Sequence, residues 1–147
     1  MTSFIDINKC QLTLENPFVI ISSETKLSDL EKMKDYEYFT SSNKKYHNCI
    51  IGSFSIYGMN CSPRIYFENN KITLIKFKVC PFDKGGWDDW SEENQIRYKE
   101  WHDEWLFKHI GKRPPYKSKN GIIDSVYDMK SADSYIYFSY PQNRGKS

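Results

Sequence analysis

The chain has 147 residues, 21 Lys and Arg against 19 Asp and Glu for a formal net charge of +2, and an aromatic content of 16%. That length fits one domain burying roughly two-thirds of the surface its unfolded form exposes, so the core needs no metal or disulfide staple. Near-balanced charge argues neither for nor against a nucleic-acid partner, and no apolar run approaches the ~18 residues of a helical membrane span.

Between Phe4 and Ile21 the stretches FIDI, LTL and FVII, interrupted by Asn16-Pro17, are rich in β-branched and aromatic residues and predict one or two strands. Ser22 to Thr25 supply helix-start chemistry, and Leu27, Leu30, Met33 and Lys34 recur at three-to-four spacing, which predicts a short amphipathic helix over residues 26–36. The polar stretch FTSSNKKYH reads as a turn. In NCIIGSFSIYG, Ile50, Phe54 and Ile56 approximate strand alternation around Gly52, as in a central strand.

Gly58 to Pro63 predict a turn and RIYFE a strand, joined through Asn69-Asn70-Lys71 to ITLIKFKVC in a tight hairpin. In the second arm Ile72, Leu74, Lys76 and Lys78 share one face; Thr73, Ile75, Phe77 and Val79 share the other, which should point to the core. Pro81 ends the strand and Asp83 to Gly86 turn the chain. After Pro114-Pro115, GIIDSVYD and SYIYFSY form a final hairpin around Ser131 to Asp133, with Tyr135, Tyr137 and Ser139 opposite Ile136, Phe138 and Tyr140. The expected fold class is α+β: an antiparallel sheet of about six strands with one short and one long helix packed on it. No repeat or linker divides the chain, so residues 1–141 are expected to form a single domain and 142–147 a frayed tail.

The long helix lies in GGWDDWSEENQIRYKEWHDEWLFKHIG, residues 85–111, which holds all four tryptophans. Ser91 suits an N-cap followed by Glu92 and Glu93 at the positive end of the dipole, and Lys108 and His109 precede Gly111, so the helix should run from about Glu92 to Ile110. At ~100° per residue, Tyr98, Trp101, His102, Trp105, Leu106 and His109 fall in one sector that should pack on the sheet. Burying each such large side chain contributes roughly 1.5–3 kcal/mol. Ile96 and Phe107 project on the opposite side, with Glu100, Asp103 and Glu104 around them.

Catalytic chemistry needs groups that meet. His102 and Asp103 diverge as helical neighbours, His102 and His109 stand two turns apart, and HDEWLFKH lacks the histidine spacing of HExxH. A zinc site joining them to Cys80 or His47 is the metal alternative. The carboxylate pairs Asp88-Asp89, Glu92-Glu93 and Asp103-Glu104 read as a solvated helix face, and no GxSxG, GxGxxG or phosphate-cradling loop occurs. No catalytic residue, metal or cofactor is therefore expected. Carboxylates interleaved with the tryptophans would repel phosphates, and the basic stretches at Lys44-Lys45 and GKRPPYKSK read as solvated loops, with binding to an acidic surface as the alternative. Cys10, Cys49, Cys61 and Cys80 show no CxxC pair and read as free buried thiols. MTSFIDINKC lacks a basic region followed by an apolar run, so no signal peptide is expected; together these point to a reducing, cytoplasmic compartment.

The ordered segments ISSETKLSDLEKM, IYFENNKITLIKF, WLFKHIGKRPP and GIIDSVYDMKSADSYIYFSY resemble a family of small intracellular bacterial immunity proteins, partners of polymorphic toxins that include contact-dependent growth inhibition systems. The resemblance spans roughly residues 15 to 140. It departs from the family pattern at Asn120-Gly121, where members carry Trp-Gly, and at Met129, where they carry proline. What it implies is a non-enzymatic cytoplasmic inhibitor that binds a cognate toxin domain, commonly a nuclease, through an interface of roughly 1,200–2,000 Å². Against a basic toxin cleft, Asp88, Asp89, Glu92, Glu93, Glu100, Asp103 and Glu104 are candidate contacts, with Tyr57, Tyr66 and Phe107 as aromatic anchors. The expected partner is a protein, with no membrane and no direct nucleic-acid contact; the oligomeric state stays open. The alternatives are a small enzyme using His102 or His109 with carboxylates, and a nucleic-acid-binding module using Lys44, Lys45, Lys112, Arg113 and surface tyrosines.

Overall fold

The computed structural model describes residues 4–79 and 92–141. The expected N-cap Ser91, the turn from Asp83 to Gly86, Cys80 and the tail 142–147 lie outside the described residues.

The apolar N-terminal stretches form three short strands rather than one or two: β1 (Ile5–Asp6), β2 (Gln11–Leu14) and β3 (Val19–Ile21), paired antiparallel as a small sheet. The helix expected over 26–36 is a single turn, α1 (Leu27–Leu30), closed by the Lys26 N–H donating to Asp29 at 2.9 Å. Leu30 is its only buried residue, and i→i+3 turns continue to Tyr36. Leu27, Met33 and Tyr36 also touch the core but stay partly exposed, and the segment follows them as separate turns rather than as one longer helix.

The polar stretch read as a turn is the tip of a hairpin between β4 (Glu37–Thr40) and β5 (Tyr46–Ile50). All of β4 is exposed, so it carries no apolar alternation to read. The strand expected to run through Gly52 is interrupted there, with φ +104, and the chain leaves the sheet to make a separate hairpin of β6 (Phe54–Ile56) and β7 (Met59–Cys61). Tyr57 and Gly58, with φ +48 and +80, make its two-residue turn. Both positive values match a primed turn.

β8 (Arg64–Glu68) and β9 (Lys71–Phe77) form the expected tight hairpin across Asn69, whose φ is +55. A bulge at Tyr66/Phe67 pairs Tyr66 with Leu74 but Phe67 with Ile72. The extra residue, Thr73, instead donates its hydroxyl to the Tyr66 carbonyl at 3.2 Å. This corrects the simple alternation in one place: Ile72 is buried, and Ile75, Phe77 and Val79 face the core as the pattern predicts.

The long helix α2 (Glu92–Ile110) has the expected extent, and the N–H of Gly111, at φ +93, closes its end on the Phe107 carbonyl at 2.9 Å. β10 (Tyr116–Ser118), β11 (Gly121–Asp128) and β12 (Asp133–Ser139) complete the main sheet. Its seven strands run in the order β10-β11-β12-β9-β8-β5-β4 with every neighbour antiparallel, which makes the chain α+β.

α2 lies on β11 and β12. Tyr98, His102, Trp105 and Leu106 of the expected sector are buried, and Trp101 and His109 are half-buried. Gln95 fixes the helix on β12, its side-chain carbonyl accepting the Ser134 N–H at 3.1 Å and its backbone carbonyl the Ser134 hydroxyl. The core lies on this side of the main sheet, where Cys49, Ile65, Ile75, Ile123 and Phe138 meet Leu12, Leu14, Ile56 and Leu106. No helix among the described residues is long and apolar enough to cross a membrane.

Candidate protein-binding surfaces

Two surfaces stand out, one on each side of the sheet. Strand register builds the first. Arg64 pairs with Lys76, Lys76 with Tyr137, Tyr66 with Asn48 and Leu74, and Asn48 with Phe39. Directly paired residues point to the same side, so these side chains line the face opposite the core. No described helix lies over it. Phe39, Tyr46 and Ile122, also on this face, are 45%, 48% and 36% exposed.

Lys76 sits between two rings, its Nζ 5.2 Å from the Tyr66 centroid and 4.6 Å from that of Tyr135. Arg64 lies 5.3 Å over the Phe39 ring and donates to the Asn48 side-chain carbonyl. Burial raises the Tyr66 hydroxyl pKa while the Arg64 charge works against that rise. Tyr135 donates to Asp128 at 3.0 Å, and Lys78 pairs with Asp133. Beside these groups, between the sheet and the rim at Asn60 and Ser62, lies an open cavity of about 640 Å³.

Of the sequence-derived positions only Tyr66 belongs here. Arg64, Lys76, Phe39, Tyr135 and Tyr137 were not singled out. A signal was present: outward positions of RIYFE, KITLIKF and SYIYFSY carry cations and aromatic rings, which strand pairing brings side by side.

The outer side of α2 is the second surface. Ile96 and Phe107 are 44% and 42% exposed, and Glu93, Glu100 and Glu104 are exposed with them. Glu93 pairs with Arg97 at 3.4 Å and Glu104 with Arg113 at 2.7 Å, and the same guanidinium lies 4.8 Å over the Phe107 ring. Asp103, grouped by the sequence with the outward acids, reaches toward the sheet: it holds Lys99 at 2.6 Å and accepts the hydroxyl of Ser125 on β11. Asp88 and Asp89 lie outside the described residues, as does the side chain of Glu92.

Tyr57 is on neither surface. Its ring stacks on His109 at 3.9 Å, meets Trp105 edge-on at 5.6 Å and touches Phe4 at 4.8 Å, and its oxygen accepts the Phe4 N–H at 3.2 Å. It fastens the β6–β7 hairpin to the end of α2.

The histidines named in the enzyme alternative do not meet a common open site. His102 is 1% exposed and accepts the Val79 N–H on Nε2 at 3.2 Å; burial first, then the Lys78 charge, pulls its pKa down to about 4. Burial and Lys108 lower that of His109, which lies in the Tyr57 stack. Cys10, Cys49 and Cys61 are buried free thiols, each pushed up to about 12 by burial, a state poor in reactive thiolate. No cluster of three or more His, Cys, Asp or Glu able to hold a metal occurs among the described residues.

No family model and no curated protein matches the chain. Among solved structures, one described as Rhs1-CT in complex with cognate immunity protein RhsI1 is similar to it, with a TM-score of 0.57 over 92% of this chain and 85% of that chain. Sequence identity is 14%, so the likeness is one of fold.

Proposed function

We propose that the chain is a non-enzymatic immunity protein that binds a cognate bacterial toxin domain in the cytoplasm and neutralises it by covering its active site or substrate entry. The observation that carries this reading is the likeness of fold, over 92% of the chain, to a structure containing an immunity protein with its cognate partner. The motif resemblance noted in the sequence points the same way, to polymorphic toxins of the contact-dependent growth inhibition kind. A nuclease is the toxin class we favour, since such enzymes offer a charged cleft that a protein can block.

Inhibition by binding asks for a sizeable surface with aromatic anchors and charge, which both outer faces offer. The candidate contacts divide accordingly: Glu93, Glu100, Glu104 and Phe107 on α2, and Tyr66 on the sheet. The enzyme alternative loses ground because His102 is sealed in the core. The nucleic-acid alternative loses ground because Lys45 pairs with Glu68 at 3.8 Å and Arg113 with Glu104, leaving less free positive charge for phosphates.

Co-expression with the toxin-like domain encoded beside this chain's gene tests the reading. Cell survival together with co-purification of a stable complex is the expected result. Continued toxicity with no complex would overturn it.

A further inference from the structure

We infer that the outer face of the main sheet, centred on Arg64 and Lys76, seats a carboxylate-bearing loop of the protein partner. The inference rests on the immunity reading and adds to it the face that binds and the chemistry it meets.

Charge carries the argument. Lys45, Lys78, Arg97, Lys99 and Arg113 each hold a carboxylate within ion-pair distance. Among the described residues none lies within that distance of Arg64 or Lys76; solvated lysines such as Lys44, Lys71 and Lys117 have no such partner either, but Arg64 and Lys76 are in addition held against rings by cation–π contacts at the edge of the cavity. A cation over an aromatic face keeps its full charge for a second partner, and a side chain already restricted between two rings loses less freedom when that partner arrives. The helix surface differs: two of its acids, Glu93 and Glu104, are already matched by arginines.

Geometry agrees. The cavity of about 640 Å³ opens beside Arg64, Tyr66, Lys76 and Tyr135, giving an inserted loop depth as well as charge. Lys78 and Asp133, which line the same cavity, already pair with each other, so the charge it offers an incoming carboxylate is that of Arg64 and Lys76. Tyrosine and arginine are the side chains from which interface anchors are most often built.

Protein carboxylate fits better than nucleic-acid phosphate. Asp124, Asp128 and Asp133 also lie on this side of β11 and β12, where they would repel a continuous phosphate backbone, while a single acidic loop can reach the cations between them.

The test uses the full chain and the toxin domain encoded beside its gene, with affinity measured by calorimetry. Lys76→Glu and Arg64→Glu should each weaken binding about 100-fold or more, with Lys76→Arg within about tenfold and the remote control Lys34→Glu within about threefold. Lys76→Met, which keeps the apolar stem, should also lose at least about tenfold, and an unchanged melting temperature for each variant separates lost contact from lost fold. Unchanged affinity in both charge reversals, with loss on Phe107→Ala and Glu104→Lys, would place the contact on the helix and overturn the inference while leaving the immunity reading intact. A wild-type chain that binds no toxin would bring down both. Tight binding of a labelled single-stranded oligonucleotide, abolished by Lys76→Glu, would assign the face to phosphate and also overturn it.

Discussion

The imidazole of His102 accepts the backbone N–H of Val79 at 3.2 Å, tying the middle of α2 to the chain just beyond β9 through a ring that has to stay neutral. Burial lowers its pKa from 6.5 to about 4, so the unfolded chain binds more protons between those values. Stability from this group is therefore complete above pH 6.5 and falls as pH drops toward 4. The loss is on the order of 3 kcal/mol. Urea unfolding at the two ends of that window should show it, and His102→Gln, though less stable at neutral pH, should have a flatter dependence. An equal slope in the variant would mean that other groups carry it.

Gly121 stands where a side chain has no room. A Cβ there would lie 2.5 Å from the Ser139 carbonyl and 2.7 Å from the Cys10 sulfur, on a backbone with φ +152. Gly121→Ala should destabilise by about 2–4 kcal/mol and lower the melting temperature by about 10 °C. Gly58→Ala, at φ +80 but with nothing within 4 Å of the new Cβ, should cost only about 1 kcal/mol. Calorimetric melting of the two variants side by side checks the ranking.

Asp103 should act on stability through Ser125, whose buried hydroxyl it accepts. Asp103→Ala leaves that hydroxyl unmatched, at about 1–3 kcal/mol. Ser125→Ala in the same background should recover part of the loss, giving a coupling of about 1 kcal/mol in a denaturation double-mutant cycle. Strict additivity would show that the pair does not act together.

For Tyr57, the ring and the hydroxyl should separate. Tyr57→Ala removes the stack on His109 and the edge contact with Trp105, and should cost about 3 kcal/mol. Tyr57→Phe keeps both and loses the bond from the Phe4 N–H, about 1 kcal/mol. Melting curves give these values. A toxin affinity that falls in Tyr57→Phe without a change in melting would instead make this residue an anchor.

Where a segment buries one clear face, its sequence is readable: α2 has the expected extent and the expected inward sector, and the β8–β9 and β11–β12 hairpins follow from their alternation. β4 could not be seen because an exposed edge strand has no buried face to pattern it. The inward placement of Ile72 depends on a bulge, and a bulge is a property of two paired strands that neither displays alone. The same limit hid the Arg64–Lys76 surface. Its members come from separate strands and become a group only through register, whereas the acids of α2 stand close together in the chain.

The core of the main sheet is one-sided, and this frees the other side to drift. Ile65, Phe67, Ile75, Ile123, Ile136 and Phe138, all fully buried, alternate along their strands with the outward positions, so exchanging an outward side chain disturbs little of their packing. Two chains of this architecture can thus diverge at nearly every outward position while keeping the same frame.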